Sequence, residues 1–366
     1  MNGDRNILKE LIAERIKENG PISFREFMEM ALYYPKFGYY EKEVSIGKTG
    51  DFVTSPKVGS IFGRTLFKAF REMLEIVESN TLLELGAGDG TLAEDIILKA
   101  KEINIELDYI IIEKSEKLRR MIRNKLGKYR VKILKSLEEI GDKISGIIFS
   151  NELIDALPVH IVEREKDGLY EIFIDCKDGE FEELKVKLKD KRIISYINEM
   201  GIELRDGQRI EVNLDAEKIL ASIYEILEKG FVVFIDYGYI AEEITAPYRL
   251  KGTLRGFKGH RIVDDVLKEP GSIDITSSVN FTALAKLAKE IGYELIGFTN
   301  QANFLVDAGI LEEIRNEDDI KAVKYLILPN GGMGEVFKVL ILAKGIGKVH
   351  LSSLKNAPKR PSFNIL

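Results

Sequence analysis

Residues 81–92, Thr-Leu-Leu-Glu-Leu-Gly-Ala-Gly-Asp-Gly-Thr-Leu, constrain the fold more tightly than any other stretch of the chain. Leu82, Leu83 and Leu85 form the short apolar run of a buried parallel strand, and Gly86, Gly88 and Gly90 then break it. Helical periodicity resumes at once, with Leu92, Ile96 and Ile97 on one side. Acidic residues occupy its first turns, where they suit the positive end of a helix dipole. A strand, a glycine turn and a helix in this order predict an opening βα unit of an α/β sheet.

Glycines lack Cβ, so such a turn lets the backbone approach a nucleotide-like ligand closely. A dinucleotide turn reads G-x-G-x-x-G and leaves a helix N-terminus free for pyrophosphate. Here the spacing is G-x-G-x-G, and the carboxylates of Glu84 and Asp89 would repel a phosphate. The expected ligand is neutral or cationic beside the turn. S-adenosylmethionine meets that description, being a nucleoside with a sulfonium and an amino group and no phosphate. Glu113 closes the next apolar run, 108–113, where a carboxylate holds the ribose diol in nucleotide-binding βαβ units. The plainer alternative is a tight loop and a solvated strand end.

Strands at 130–134 and 146–151 alternate with helices after this unit, predicting a mostly parallel sheet with helices on both faces. Ligands of such sheets bind outside the carboxyl ends of the strands. That rule brings Glu84, Gly86, Gly88, Gly90, Glu113, Ser136, Leu137, Asn151 and Glu152 to one crevice. Before the core, residues 5–18 read as an amphipathic helix, and Ser23 with Glu26 as a capping box for a second helix. Residues 33–60, rich in Tyr and Phe and broken by Pro35 and Gly38, read as an ordered lid or substrate wall, or else as a satellite core. Residues 159–188 alternate and carry Asp167-Gly168 and Asp178-Gly179, the signature of an antiparallel meander. The expected organisation is a helical cap with an aromatic loop (1–60), a first half-core (61–158), an inserted meander with helices (159–228) and a second half-core (229–345). The last contains an irregular stretch at 239–280, and a surface tail follows (346–366).

A net charge of −6 with both signs interspersed gives no footprint for nucleic acid. The longest apolar runs are too short to span a bilayer, and the N-terminus has no signal-peptide core. The expectation is a cytoplasmic protein without membrane insertion. Cys176 is the single cysteine and His160, His260 and His350 the only histidines, so no metal site is expected. Abundant Lys and Glu resemble the composition of a heat-adapted protein.

Asn151-Glu-Leu-Ile-Asp-Ala-Leu-Pro-Val-His160 follows the 146–151 strand, where class I methyltransferases hold the methyl acceptor. Glu152 and Asp155 share a face if this segment is a helical turn, and paired carboxylates can localise a guanidinium. Equally, they are acids decorating a helix N-terminus. Together with Gly50-Asp-Phe-Val-Thr-Ser-Pro, Glu84-Leu-Gly-Ala-Gly-Asp-Gly-Thr, Ile235-Asp-Tyr-Gly and Gly252-Thr-Leu-Arg…His260…Pro270-Gly-Ser-Ile-Asp-Ile-Thr, this segment resembles the MidA family of S-adenosylmethionine-dependent methyltransferases. That family includes the mitochondrial protein required for complex I assembly. The resemblance runs in order over roughly 20–345.

The resemblance implies a class I (Rossmann-like) fold with a mostly parallel seven-stranded sheet, an N-terminal helical cap and an inserted antiparallel β segment. It implies protein-arginine methylation, with Gly86, Gly88, Gly90 and Glu113 on the cofactor, Thr54 and Ser55 approaching it from the cap, and Asn151, Glu152 and Asp155 facing the acceptor. The chain departs from the family at Lys57, where Glu is common, and at Ser278 and Asn280, where a His and an Asp occur. Two further readings compete: a cofactor-binding assembly chaperone for a client protein, and a small-molecule methyltransferase.

Overall fold

The computed structural model describes residues 2–42, 55–259, 261–329 and 331–358. Its main sheet is built from β1 (Thr81–Leu85), β2 (Asp108–Ile112), β3 (Val131–Leu134), β4 (Ile144–Asn151), β5 (Leu227–Tyr239), β6 (Glu294–Asn300) and β7 (Phe337–Lys344), in the order β3-β2-β1-β4-β5-β7-β6. Neighbours from β3 to β5 run parallel, and β7 runs antiparallel to both β5 and β6. A two-residue strand, Val279–Asn280, extends the end of β5 as an eighth member. The chain leaves β1 toward β2 and β3 and then crosses back to β4, so a crevice opens above the carboxyl ends of β1 and β4.

Both faces of this sheet are covered, which is why its strands are apolar at nearly every position. Leu82, Ile147, Phe149 and Val233 pack with Phe62, Phe67 and Phe70 of the helix Ile61–Val77. Leu83, Ile148, Val232 and Phe234 face the helices Asp215–Ile226 and Phe281–Ile291 on the other side.

The meander is His160–Glu165, Gly168–Lys177 and Glu180–Lys187. Its first two-residue loop is Lys166 and Asp167, one position ahead of the expected Asp167-Gly168, because Glu165 pairs with Gly168. The second is Asp178-Gly179 as expected, at φ of 51° and 80°. Arg209–Val212 adds to one side and Ile22–Ser23 to Gly168–Lys177. Leu8, Ile12, Phe24 and Phe27 of the cap share an apolar core with Ile161, Ile172 and Ile174 of the meander.

Ser23 caps the helix Phe24–Tyr33 through the N–H of Glu26 at 3.2 Å. The Glu26 carboxylate turns away to pair with Arg15 at 2.8 Å, so the cap is made from one side. The 239–280 stretch, expected to be irregular, contains a sheet of Arg255–Lys258, Arg261–Val263 and Asp274–Thr276. The tail beyond 345 is not a surface extension over its described part: Leu351 and Ser353 are buried, and Leu354 packs where a side chain at Gly297 would stand. Of the 33–60 loop, residues 43–54 lie outside the described residues, and with them Thr54. His260 does too.

Candidate functional site

The glycine turn leaves β1 with the Gly86 N–H donating to the Ile112 carbonyl at 2.8 Å, which ties the turn to the end of β2. Gly88 has φ of +56°, and a Cβ there would meet no atom of the described residues within 4 Å. That open side leaves room for a ligand to approach the backbone. At Gly86, φ +69°, a Cβ would instead strike Leu153 at 2.8 Å, which brings the acceptor loop against the turn. Asp89 is spent inside the turn, accepting the Thr91 N–H at 3.0 Å and lying 3.5 Å from Lys125.

Glu113, buried just beyond β2, accepts the Ser115 N–H at 2.9 Å and is also reached by the Gly88 N–H. Burial pushes its carboxyl up to about 7 against these two donors. The Glu113 N–H donates to Leu134 at the end of β3, so half-buried Ser136 and Leu137 follow beside it. Leu137 packs against the core, and Ser136 engages Glu138. This donor set fits S-adenosylmethionine: a buried carboxylate for a diol, open backbone at Gly88 and no phosphate cradle. Gly88→Val is expected to weaken cofactor binding by about tenfold or more, through a strained φ and a side chain in the cofactor's space. Calorimetric affinity equal to wild type counts against this placement.

Glu84 lies in the sheet, 2% exposed, where Tyr109 Oη on β2 donates to its Oε2 at 2.7 Å. Burial pushes its carboxyl from 4.5 to about 8, the Tyr109 bond pulling the other way. Across that window the fold keeps Glu84 protonated while the unfolded chain ionises it. The folded state binds the extra proton, so this group's contribution to stability falls as pH rises through the window. Glu84→Gln still accepts from Tyr109 and is expected to flatten the decline, with its largest gain over wild type near pH 8. Urea unfolding from about pH 5 to about pH 9 checks this, and equal slopes in the two proteins overturn it.

The acceptor segment is not a helical turn. Glu152 takes φ of 53°, and the N–H groups of Leu153, Ile154 and Asp155 converge on Asp236 Oδ2 at 3.2, 2.9 and 3.2 Å. Asp236, fully buried at the end of β5, also accepts the Tyr237 N–H at 2.9 Å and thus moulds the loop. The shared helical face expected for Glu152 and Asp155 is absent, and with it the reason to read them as acids on a helix dipole.

Glu152 Oε1 accepts the Ser55 N–H at 3.0 Å and Asn151 Nδ2 at 2.9 Å. Ser55 is therefore tied to Glu152, and its hydroxyl points at Gln301, 3.4 Å away. Asn151 Oδ1 and Asp155 Oδ1 are buried with no partner among the described residues. Burial, then the neighbouring Asp236, pushes Glu152 up to about 8, and Lys57 pulls it down. Asp155 is pushed up strongly by burial and by Asp236, Glu152 and Asp274. Ser278 and Asn280, the departures from the family pattern, have structural tasks: Ser278 N–H donates to Thr253, and Asn280 caps the helix Phe281–Ile291.

Sequence reasoning gave no role to Asp236, Asp274, Tyr33, Tyr40 or Tyr237. Both aspartates and Tyr237 stand in stretches that carry the family resemblance, and Tyr33 and Tyr40 belong to the loop read as a lid or substrate wall, or else as a satellite core.

A family model described as "Putative S-adenosyl-L-methionine-dependent methyltransferase" matches residues 61–299. The relative "Protein arginine methyltransferase NDUFAF7, mitochondrial" of Xenopus tropicalis is 30% identical over 91% of this chain and 85% of its own length. The Mus musculus protein of that name is 31% identical over 81% of this chain and 72% of its own. A crystal structure from Burkholderia thailandensis bound to S-adenosyl-homocysteine matches with a TM-score of 0.89 and 29% identity, covering 97% of this chain and 96% of that one. The cytoplasmic location expected from the sequence is overturned by the curated relatives, which are mitochondrial proteins. No helix among the described residues is long and apolar enough to cross a membrane. The glycine turn over open space, Glu113 at the end of β2 and these matches agree, and the chain belongs to this family of S-adenosyl-L-methionine-dependent methyltransferases.

Proposed function

We propose that this enzyme methylates an arginine side chain of a protein, with the acceptor guanidinium between Glu152 and Asp155. One observation carries the reading: the carboxylates of half-buried Glu152 and buried Asp155 stand on one loop after β4, and Asp155 Oδ1 has no partner among the described residues. Such a site asks for a cation with several N–H donors, and the arginine methyltransferase names of the relatives point the same way.

S-adenosylmethionine supplies a methyl group already activated by its sulfonium, so the chain's own residues have only to bind, orient and take up a proton. Gly88 and Glu113 would hold the cofactor side, with Glu84 behind them in the sheet, Gly86 and Gly90 shaping the turn, and Ser136 and Leu137 beside Glu113. Glu152 would orient one guanidinium nitrogen and accept its proton as the new bond forms, which spares the early deprotonation of a group with pKa above about 12. Its N–H donors, Ser55 and Asn151, fix its carboxylate in place. Incubating the protein with labelled S-adenosylmethionine and a client-containing extract, followed by amino-acid analysis, tests the reading. Label recovered as methylarginine supports it, and label only in other residues or in small molecules overturns it.

A further inference from the structure

The Ser55 hydroxyl stands in a buried seat assembled from three separate elements. Gln301, the first residue after β6, donates from Nε2 to the Leu326 carbonyl at 3.1 Å, which turns its Oε1 toward Ser55 Oγ at 3.4 Å. Met333, in the run leading into β7, brings its Sδ to 3.6 Å from the same oxygen. Ser55 and Gln301 are both 0% exposed and Met333 is 4% exposed, so water does not compete for the seat. On its other side the Ser55 N–H reaches Glu152 Oε1 at 3.0 Å. Asn151 Nδ2 uses that same oxygen, at 2.9 Å. Two N–H donors therefore fix one oxygen of the carboxyl group, and Oε2 is the oxygen they leave.

We infer that Gln301 is a positioning residue for methyl transfer: by fixing Ser55 it keeps the Ser55 N–H on Glu152 Oε1, and so holds Oε2 for the proton that the acceptor nitrogen gives up. The inference rests on the arginine reading above. A buried side-chain amide is costly unless both of its ends are bonded. Here one end is tied to a helix carbonyl and the other to the residue that holds the proton acceptor. An N–H donor favours the ionised carboxylate over the acid. If the seat loosens, the Ser55 N–H drifts; Glu152 then keeps a proton of its own to higher pH and aims Oε2 less well. Asp236, Asp155 and Lys57 share the neighbourhood of Glu152, and substitutions at 55 and 301 leave all three unchanged.

The test has one arm that needs no substrate. Infrared titration of the carboxylic acid C=O stretch, with Glu152→Gln assigning the Glu152 band, reads the ionisation of Glu152 directly. Gln301→Leu also strips the Leu326 carbonyl of its donor and lowers stability, so Ser55→Ala, which spares that bond, is measured beside it. Each variant is expected to move the Glu152 midpoint up by about half to one pH unit, the equivalent of one hydrogen bond. The double variant should move it no further, because both changes act through one hydroxyl contact. The second arm is transfer from labelled S-adenosylmethionine to a peptide pool with randomised flanks around a central Arg. There kcat should fall about 3- to 10-fold, with KM and cofactor affinity within about twofold of wild type. An unmoved midpoint, or shifts that add in the double variant, overturns the role of Gln301 and leaves the arginine reading standing. A loss confined to melting temperature also overturns it, as the mark of a merely structural residue. Full transfer by Glu152→Gln, or none by wild type to this pool, removes the arginine reading and the inference with it.

Discussion

Replacing Glu152 by glutamine is expected to lower methyl transfer by about 10²-fold or more while cofactor affinity stays within about tenfold of wild type. Glutamine keeps an oxygen for the Ser55 N–H and for Asn151 Nδ2, so the loop should hold its shape. What disappears is the negative charge that aligns a guanidinium nitrogen and the base that takes its proton. Burial pushes Glu152 up to about 8, so at neutral pH it is largely protonated. A guanidinium entering beside it favours the ionised form, and the proton must leave.

Acceptor binding to wild type should therefore release protons to the buffer, and Glu152→Gln should release fewer. Calorimetry in two buffers of different ionisation enthalpy reads this directly. Single-turnover transfer and melting temperature on the same sample complete the test. A variant of full activity would sink the proton-acceptor role, and equal loss of cofactor binding and transfer would move Glu152 into the cofactor site.

The half of the candidate site assigned to the cofactor could be drawn from the sequence because its residues are local. Gly86, Gly88 and Gly90 lie between an apolar strand and a helix, and Glu113 ends the next strand, so periodicity and the carboxyl-end rule bring them together without knowledge of packing. The acceptor half was legible only as residue types. Glu152 and Asp155 sit three apart, which reads as a helical turn, but Asp236, 81 positions from Asp155, captures the loop's N–H groups and forces Glu152 into a left-handed backbone. No spacing in the 151–160 segment encodes a partner on another strand. Asp274 escaped for a similar reason: its three-residue strand is too short for a period-two pattern and exists because Arg255–Lys258 pairs with it. The tail from Gly345 reads as an extension because Pro358 and Pro361 break it, and only the fold shows what Leu351 and Leu354 cover.

Asp236→Ala is expected to cost about 3 to 5 kcal/mol of stability, the range for stripping a buried charged acceptor from several donors. The N–H groups of Leu153, Ile154, Asp155 and Tyr237 would all lose their acceptor in a place water does not reach. Alanine leaves a cavity but no strain, so the loss should appear in the denaturation midpoint with the slope unchanged. Asp236→Asn separates shape from charge. Its one amide oxygen can serve the donors of 153–155, while its NH2 group faces the Tyr237 N–H, so a smaller cost of about 1 to 2 kcal/mol is expected. Charge has a second consequence, because after burial itself Asp236 is the largest source raising both Asp155 and Glu152. Neutralising it lets both carboxyls ionise at lower pH. The rate of transfer, which needs Glu152 ionised, should then begin its rise at lower pH in Asp236→Asn than in wild type. A pH–rate profile in which the rising limb stays in place would show that Asp236 shapes the loop without tuning its acids.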